Sequence, residues 1–198
     1  MKQIEVILIG IFIIGLVHMI LLFPGAIILM TLGFGILSMI YVFFGFALLN
    51  NIRLRNIFKK DSYQGISTLR VIGSIAAGLS FAIAVDGILF KIMFWPGANV
   101  LLINGIFLLF IISIIGFIKY TKTKSDFYPR LFIRSISLIG IALSLFFLPA
   151  ENLANFRYRD NPEYAKALIN SWSYPENIEF QKKLEEERRK IDEENNDA

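Results

Sequence analysis

The stretch "DGILFKIMFWPGANVLLINGIFLLFIISIIGF", residues 86–117, is an apolar run broken once, at Pro96-Gly97, and it carries one aspartate, one lysine and two asparagines. Proline cannot continue a helix, and glycine tolerates the backbone angles of a sharp reversal. The break therefore reads as the tight turn of a helical hairpin. Crossing ~30 Å of hydrocarbon takes ~20 apolar residues at ~1.5 Å each, and the flanking arms are long enough.

The rest of the chain has the same character. It has 198 residues, is 56% hydrophobic, contains 19 Phe and confines its charges to a few short stretches, which is membrane composition. Five spans are expected, at about 4–23, 26–49, 70–94, 98–118 and 131–149, giving an all-α membrane bundle over residues 1–150. A cleaved signal peptide competes for the N-terminus, but the first run is long for one, leads straight into a second span and lacks an A-x-A site. There is no cysteine, which excludes disulfides, thiolate metal sites and cysteine nucleophiles.

A shift of 72 residues lays "GLVHMILLFPGAIILMTLGFGIL", residues 15–37, on "GILFKIMFWPGANVLLINGIFLL", residues 87–109. Gly15 falls on Gly87, Pro24-Gly25-Ala26 on Pro96-Gly97-Ala98 and Gly33 on Gly105. Apolar matches are cheap in membrane sequences; these glycine and proline registrations are not. The expected architecture is a duplicated Pro-Gly hairpin, 4–49 and 70–118, in one orientation as a parallel repeat, plus a fifth span at 131–149. In the third span Ala76, Ser80 and Ala84 recur every four residues, as do Gly78, Ala82 and Asp86; Gly140 and Ser144 do so in the fifth. Small residues at this spacing let helices approach closely, which places the third span at the centre.

Charge orients the bundle. Residues 1–150 carry 12 Lys and Arg against 4 Asp and Glu, whereas 151–198 carry 8 against 12. Ten of the basic residues lie around two connections: Arg53, Arg55, Lys59, Lys60 and Arg70, then Lys119, Lys122, Lys124, Arg130 and Arg134. The positive-inside rule makes both connections cytoplasmic, with the N-terminus inside and the tail outside. Topology and anionic lipid head groups account for these clusters without nucleic acid.

Gly87 to Leu102, with Phe90-Lys91-Ile92 before an aromatic and Pro96-Gly97-Ala98-Asn99, resembles the transmembrane hairpin of the GldL-like family. These are inner-membrane proteins of bacterial gliding motility and type nine secretion. The resemblance covers residues 87–117, with 15–46 as a weaker echo. It implies a bacterial inner-membrane location and an envelope complex as partner. In the family this hairpin belongs to a proton-powered motor with an acid in its second helix. Here the span 98–118 has no acid, and Phe94 stands where a histidine often precedes Trp-Pro-Gly. The resemblance thus implies kinship to the hairpin rather than to the motor.

If the hairpin folds about residue 95, equal depth pairs Asp86 with Asn104 and Lys91 with Asn99. Lys91 lies roughly 6 Å of helix from the turn and can snorkel to the interface beside Trp95 as an anchor. Asp86 sits near mid-membrane, where a charge costs ~3 kcal/mol or more, so it is expected to be protonated, hydrogen-bonded to Asn104 or facing a wet cavity. His18, the sole histidine, lies near the same face as Lys91 and is expected to be packed or hydrogen-bonded. A metal site needs more ligands than the chain offers, and no cofactor is implied. No nucleophile–base set, phosphate loop or paired carboxylates appear, so enzyme activity is not expected.

The tail, 151–198, is expected to be a soluble helical element. Asn161 caps a helix with Pro162 at its first position, and Tyr164, Leu168 and Trp172 form a stripe. After Pro175, a second helix offers the i,i+4 pairs Glu179–Lys183, Glu185–Arg189 and Glu186–Lys190, while Phe180 and Leu184 can pack on the stripe. The last six to eight residues are expected to be disordered. The leading functional expectation is a non-enzymatic structural or accessory subunit of an envelope complex, in contact with membrane lipids and with a second copy or an envelope partner. The alternative is a small proton- or ion-coupled transporter or motor component using Asp86.

Overall fold

The computed structural model describes residues 2–21 and 25–196, with the backbone alone for residues 2, 54 and 194–196. Among the described residues the chain is all-α. Its eight α-helices are α1 (Lys2–Ile20), α2 (Ala26–Leu49), α3 (Thr68–Met93), α4 (Ala98–Thr123), α5 (Phe127–Phe147), α6 (Ala150–Arg157), α7 (Pro162–Ser173) and α8 (Ile178–Asn196). Two short 3-10 turns, Leu54–Asn56 and Lys60–Tyr63, lie between α2 and α3. The first five helices are long and apolar enough to cross a bilayer. The chain is a multi-pass membrane protein.

The helices extend beyond the expected spans into charged sequence. α4 runs on to Thr123 and α5 begins at Phe127, so Lys119, Lys122 and Arg130 are helical rather than parts of a connection. Backbone hydrogen bonds continue through a charged turn as readily as through an apolar one, so hydropathy marks the buried part of a helix and not its ends.

The chain divides into two compact units, residues 1–93 with 97–146, and residues 94–96 with 147–198. In the first, α3 is the most buried span and packs against both α2 and α4. The approach to α2 is closest at glycine. A Cβ on Gly78 would stand 2.5 Å from the carbonyl oxygen of Tyr41, and one on Gly45 would stand 2.7 Å from the Cα of Gly78. Around this crossing Phe81, Ala84, Val85 and Ile88 are sealed against Met30, Leu49, Leu102 and Leu109. α5 makes few close backbone approaches to the other spans. The small-residue pair expected to pack it does not: a Cβ on Gly140 would meet no atom within 4 Å, and Ser144 bonds back to the Gly140 carbonyl. Its contacts are made by side chains instead, with Leu131 and Phe132 on Gly116 and the Arg70 guanidinium over the Phe127 ring.

Gly25 and Gly97 each precede a helix with φ of 84°, the left-handed region where glycine carries no Cβ penalty. Their carbonyls accept from the N–H groups of Leu29 and Leu101, both at 3.0 Å. Pro96 sits in the second turn; Pro24, expected in the first, lies outside the described residues.

In the second unit Pro162 opens α7 as expected, with the backbone of Asn161 accepting from Ala165 at 3.1 Å, although its side chain makes no capping bond. Leu168 and Trp172 pack with Phe94 and Ala165 and with Leu153 and Ala154 of α6, while Tyr164 meets Tyr158. Phe180 meets the Tyr174 ring, and Ser171 donates to Gln181 Oε1 at 2.8 Å. The short α6, hidden in sequence behind the fifth span, supplies apolar surface to the stripe. Among the described residues the ion pairs of α7 and α8 are Lys166–Glu163 and Lys190–Glu187, both i,i+3 and not the i,i+4 pairs expected. Either spacing brings side chains together on a helix, and exposed pairs of this kind contribute little. α8 extends through Asn196, so most of the segment expected to be disordered lies in helix; residues 197–198 are outside the described residues.

Candidate functional site

Two of the four polar residues singled out in the second hairpin come together. Lys91, only 4% exposed, donates from Nζ to Asn99 Oδ1 at 3.1 Å, linking α3 to α4 one turn either side of Pro96-Gly97. Its ammonium is therefore held inside the fold instead of extending outward as an anchor.

Asp86 and Asn104 do not pair. Asn104 stands at a matching depth but is turned to the exposed side of α4, where its Nδ2 donates to the Val100 carbonyl at 2.8 Å. Asp86, half-buried, faces α2, and its Oδ2 accepts from the Ser38 hydroxyl at 3.0 Å. Equal depth sets height along a hairpin, whereas rotation about each helix axis is set by packing, and α3 turns this face to α2. His18 donates from Nδ1 to the Ile14 carbonyl at 2.9 Å, a bond within α1. Among the described residues no three His, Asp or Glu side chains gather as a metal site would require.

A second polar cluster was not expected from the sequence. Glu5 of α1 is 5% exposed, and Arg134 of α5 donates to it from Nε and Nη2, each at 2.6 Å, one bond to each carboxylate oxygen. The Tyr41 hydroxyl of α2 donates to the same Oε1 at 2.8 Å, and Arg134 Nη1 donates to the Arg130 carbonyl at 3.1 Å. Two ions can be taken out of water together when the pairing is bidentate and the remaining atoms have partners, as here. The sequence carries this signal only in diluted form: Glu5 is one of four acids in residues 1–150, and Arg134 one of ten basic residues around the two connections. Alternating spans run in the same direction, so an acid near the start of the first and a base near the start of the fifth reach the same end of the bundle.

A third group sits at that end. Asn50 accepts from Arg70 Nε at 2.8 Å and donates to Ser74 Oγ at 3.1 Å, joining the end of α2 to the start of α3.

Beside the Glu5–Arg134 pair lies a cavity of about 1200 Å³ bounded by α1, α2, α3 and α5. Its polar end includes Glu5, Arg53, Arg130 and Arg134, and its deeper wall includes Phe34, Val85 and Ile88.

The chain matches no protein-family model, no curated protein and no solved structure.

Proposed function

We propose that this protein is a non-enzymatic structural or accessory subunit of a bacterial cell-envelope complex, set in the inner membrane with its N-terminus inside and its tail outside. The observation that carries the reading is the Ser38–Asp86 bond. The one acid in the middle of a span, which a coupled transporter would keep for its ion, is spent here on tying α2 to α3. Lys91–Asn99 and Glu5–Arg134 serve the same purpose at other helix pairs. The resemblance of residues 87–117 to the GldL-like hairpin supports an envelope setting, and Lys91 and Asn99, both within that string, are bonded to each other.

The two hairpins read as a parallel repeat, and equivalent close contacts support this. A Cβ on Gly15 would meet Met30, and one on Gly87 would meet Leu102, which is Met30 shifted by 72 residues. Gly33 faces Phe12 as Gly105 faces Ala84, again 72 apart. Gly25 and Gly97 share the same φ.

The test is gentle extraction of the tagged chain from native membranes, followed by identification of what co-purifies in near-equal amount. A stoichiometric envelope protein is expected. A lone homo-oligomer, together with an Asp86→Asn variant that is made normally but loses ion coupling, would replace this reading with the transporter or motor. Reporter fusions at residue 198 check the sidedness, and cytoplasmic activity there would overturn it.

A further inference from the structure

The cavity between α1, α2, α3 and α5 has two unlike ends. Where α5 begins, Arg53 and Arg130 line it with the amides of Gln3 and Asn51. Arg134 is already matched by Glu5, but neither Arg53 nor Arg130 forms an ion pair among the described residues. This end carries uncompensated positive charge. The deeper wall is apolar, formed by Phe12, Phe34, Leu37, Val85 and Ile88.

The slot also opens sideways. Ile9 and Ile13 of α1 and Ile133 and Ile141 of α5 line it and are 41%, 53%, 68% and 44% exposed, so its rim is apolar and faces what surrounds the bundle. In a multi-pass membrane protein that surrounding is lipid. From Arg130 to Ile141 the lining runs eleven residue steps along α5, roughly 16 Å by the helical rise. One leaflet contributes about half of the ~30 Å of hydrocarbon, so the depth suits one acyl layer. The volume exceeds the roughly 300–1,000 Å³ of ordinary small-molecule pockets.

We infer that this slot holds one anionic phospholipid drawn from the bilayer, its phosphate at Arg53 and Arg130 and an acyl chain along Phe12, Phe34 and Ile88. A soluble anion would satisfy the arginines and leave the apolar depth unfilled. A zwitterionic lipid would fill the depth but bring a cation beside two arginines. Only an anionic amphiphile suits both ends, and it would complete the packing of α5, whose backbone stands off from its neighbours. The inference rests on the membrane setting and the cavity, and is independent of the subunit reading.

The experiment reconstitutes the full chain in phosphatidylcholine vesicles containing a trace of phosphatidylglycerol with a photoactivatable acyl chain, irradiates them and maps the labelled residues by mass spectrometry. Label is expected on Phe12, Phe34 and Ile88, displaced by unlabelled phosphatidylglycerol and not by added phosphatidylcholine or inorganic phosphate. Replacing Arg53 and Arg130 with Gln should lower labelling roughly fivefold per arginine, the scale of one basic residue at an anionic surface. Ile9→Trp, which obstructs the rim without touching the arginines, should abolish label at Phe34 and keeps the test sound if the arginine variants fail to fold. Equal displacement by phosphatidylcholine, displacement by inorganic phosphate, or labelling unchanged in the Ile9→Trp protein would each overturn the assignment.

Discussion

Arg134 of α5 grips both carboxylate oxygens of Glu5 in α1, at 2.6 Å each, across 129 residues of sequence. Because α5 makes few close backbone approaches elsewhere, this pair is a principal tie between the fifth span and the rest of its unit.

Removing one partner leaves the other charged and buried. Arg134→Met is expected to destabilise the protein by about 3–5 kcal/mol, and Glu5→Leu by a similar amount, whereas the two together should recover much of the loss. Arg134→Lys should fall between, since an ammonium cannot reproduce the two-pronged geometry. Thermal unfolding in mild detergent measures all four; a double variant no better than the singles would refute the argument.

The Ser38–Asp86 bond is more modest. Ser38→Ala should cost about 1 kcal/mol and Asp86→Asn no more than that, because an amide can still accept from the hydroxyl. A double-mutant cycle on unfolding with Ser38→Ala and Asp86→Ala, each of which removes the bond, should give a coupling of about 0.5 kcal/mol or more between the two positions. Zero coupling would mean that the bond holds nothing.

Glycine at the α2–α3 crossing allows no side chain. Gly78→Ala places a methyl 2.5 Å from the Tyr41 carbonyl oxygen, so the helices must part, with an expected loss of about 1–3 kcal/mol or more. Gly140→Ala, where the added methyl meets nothing within 4 Å, should be neutral or slightly stabilising. The pair compared by unfolding temperature separates close packing from helix propensity; equal effects would show that the crossing is looser than described.

Tyr164 in α7 should titrate late. Burial, with the neighbouring Tyr158 adding to it, pushes its hydroxyl up to about 12. The neutral phenol is therefore favoured in the folded state, so its contribution to stability is complete below the ordinary value of about 10 and is lost as pH rises towards 12. The difference in tyrosinate absorbance between the protein and Tyr164→Phe across that window reports it. A difference spectrum centred near 10 would contradict the burial.

The apolar runs by themselves determined the five spans, because hydrocarbon accepts only backbone whose hydrogen bonds are satisfied internally and hydropathy is a local property. Proline and glycine determined where the second hairpin turns. The small residues of the third span marked it as central, since helices approach closely only where side chains are short. Height along a hairpin was legible too, and Lys91 meets Asn99 at equal distance from the turn.

Rotation was not. Asn104 has the depth to reach Asp86, yet it points away from α3, and Asp86 instead finds Ser38 in a helix 48 residues earlier. Only the tertiary structure decided that, as it decided that Glu5, Tyr41 and Arg134 converge and that α6 packs on the tail's apolar stripe. The face a helix turns inward is set by every neighbour it packs against at once, and that sum is absent from any single stretch of sequence.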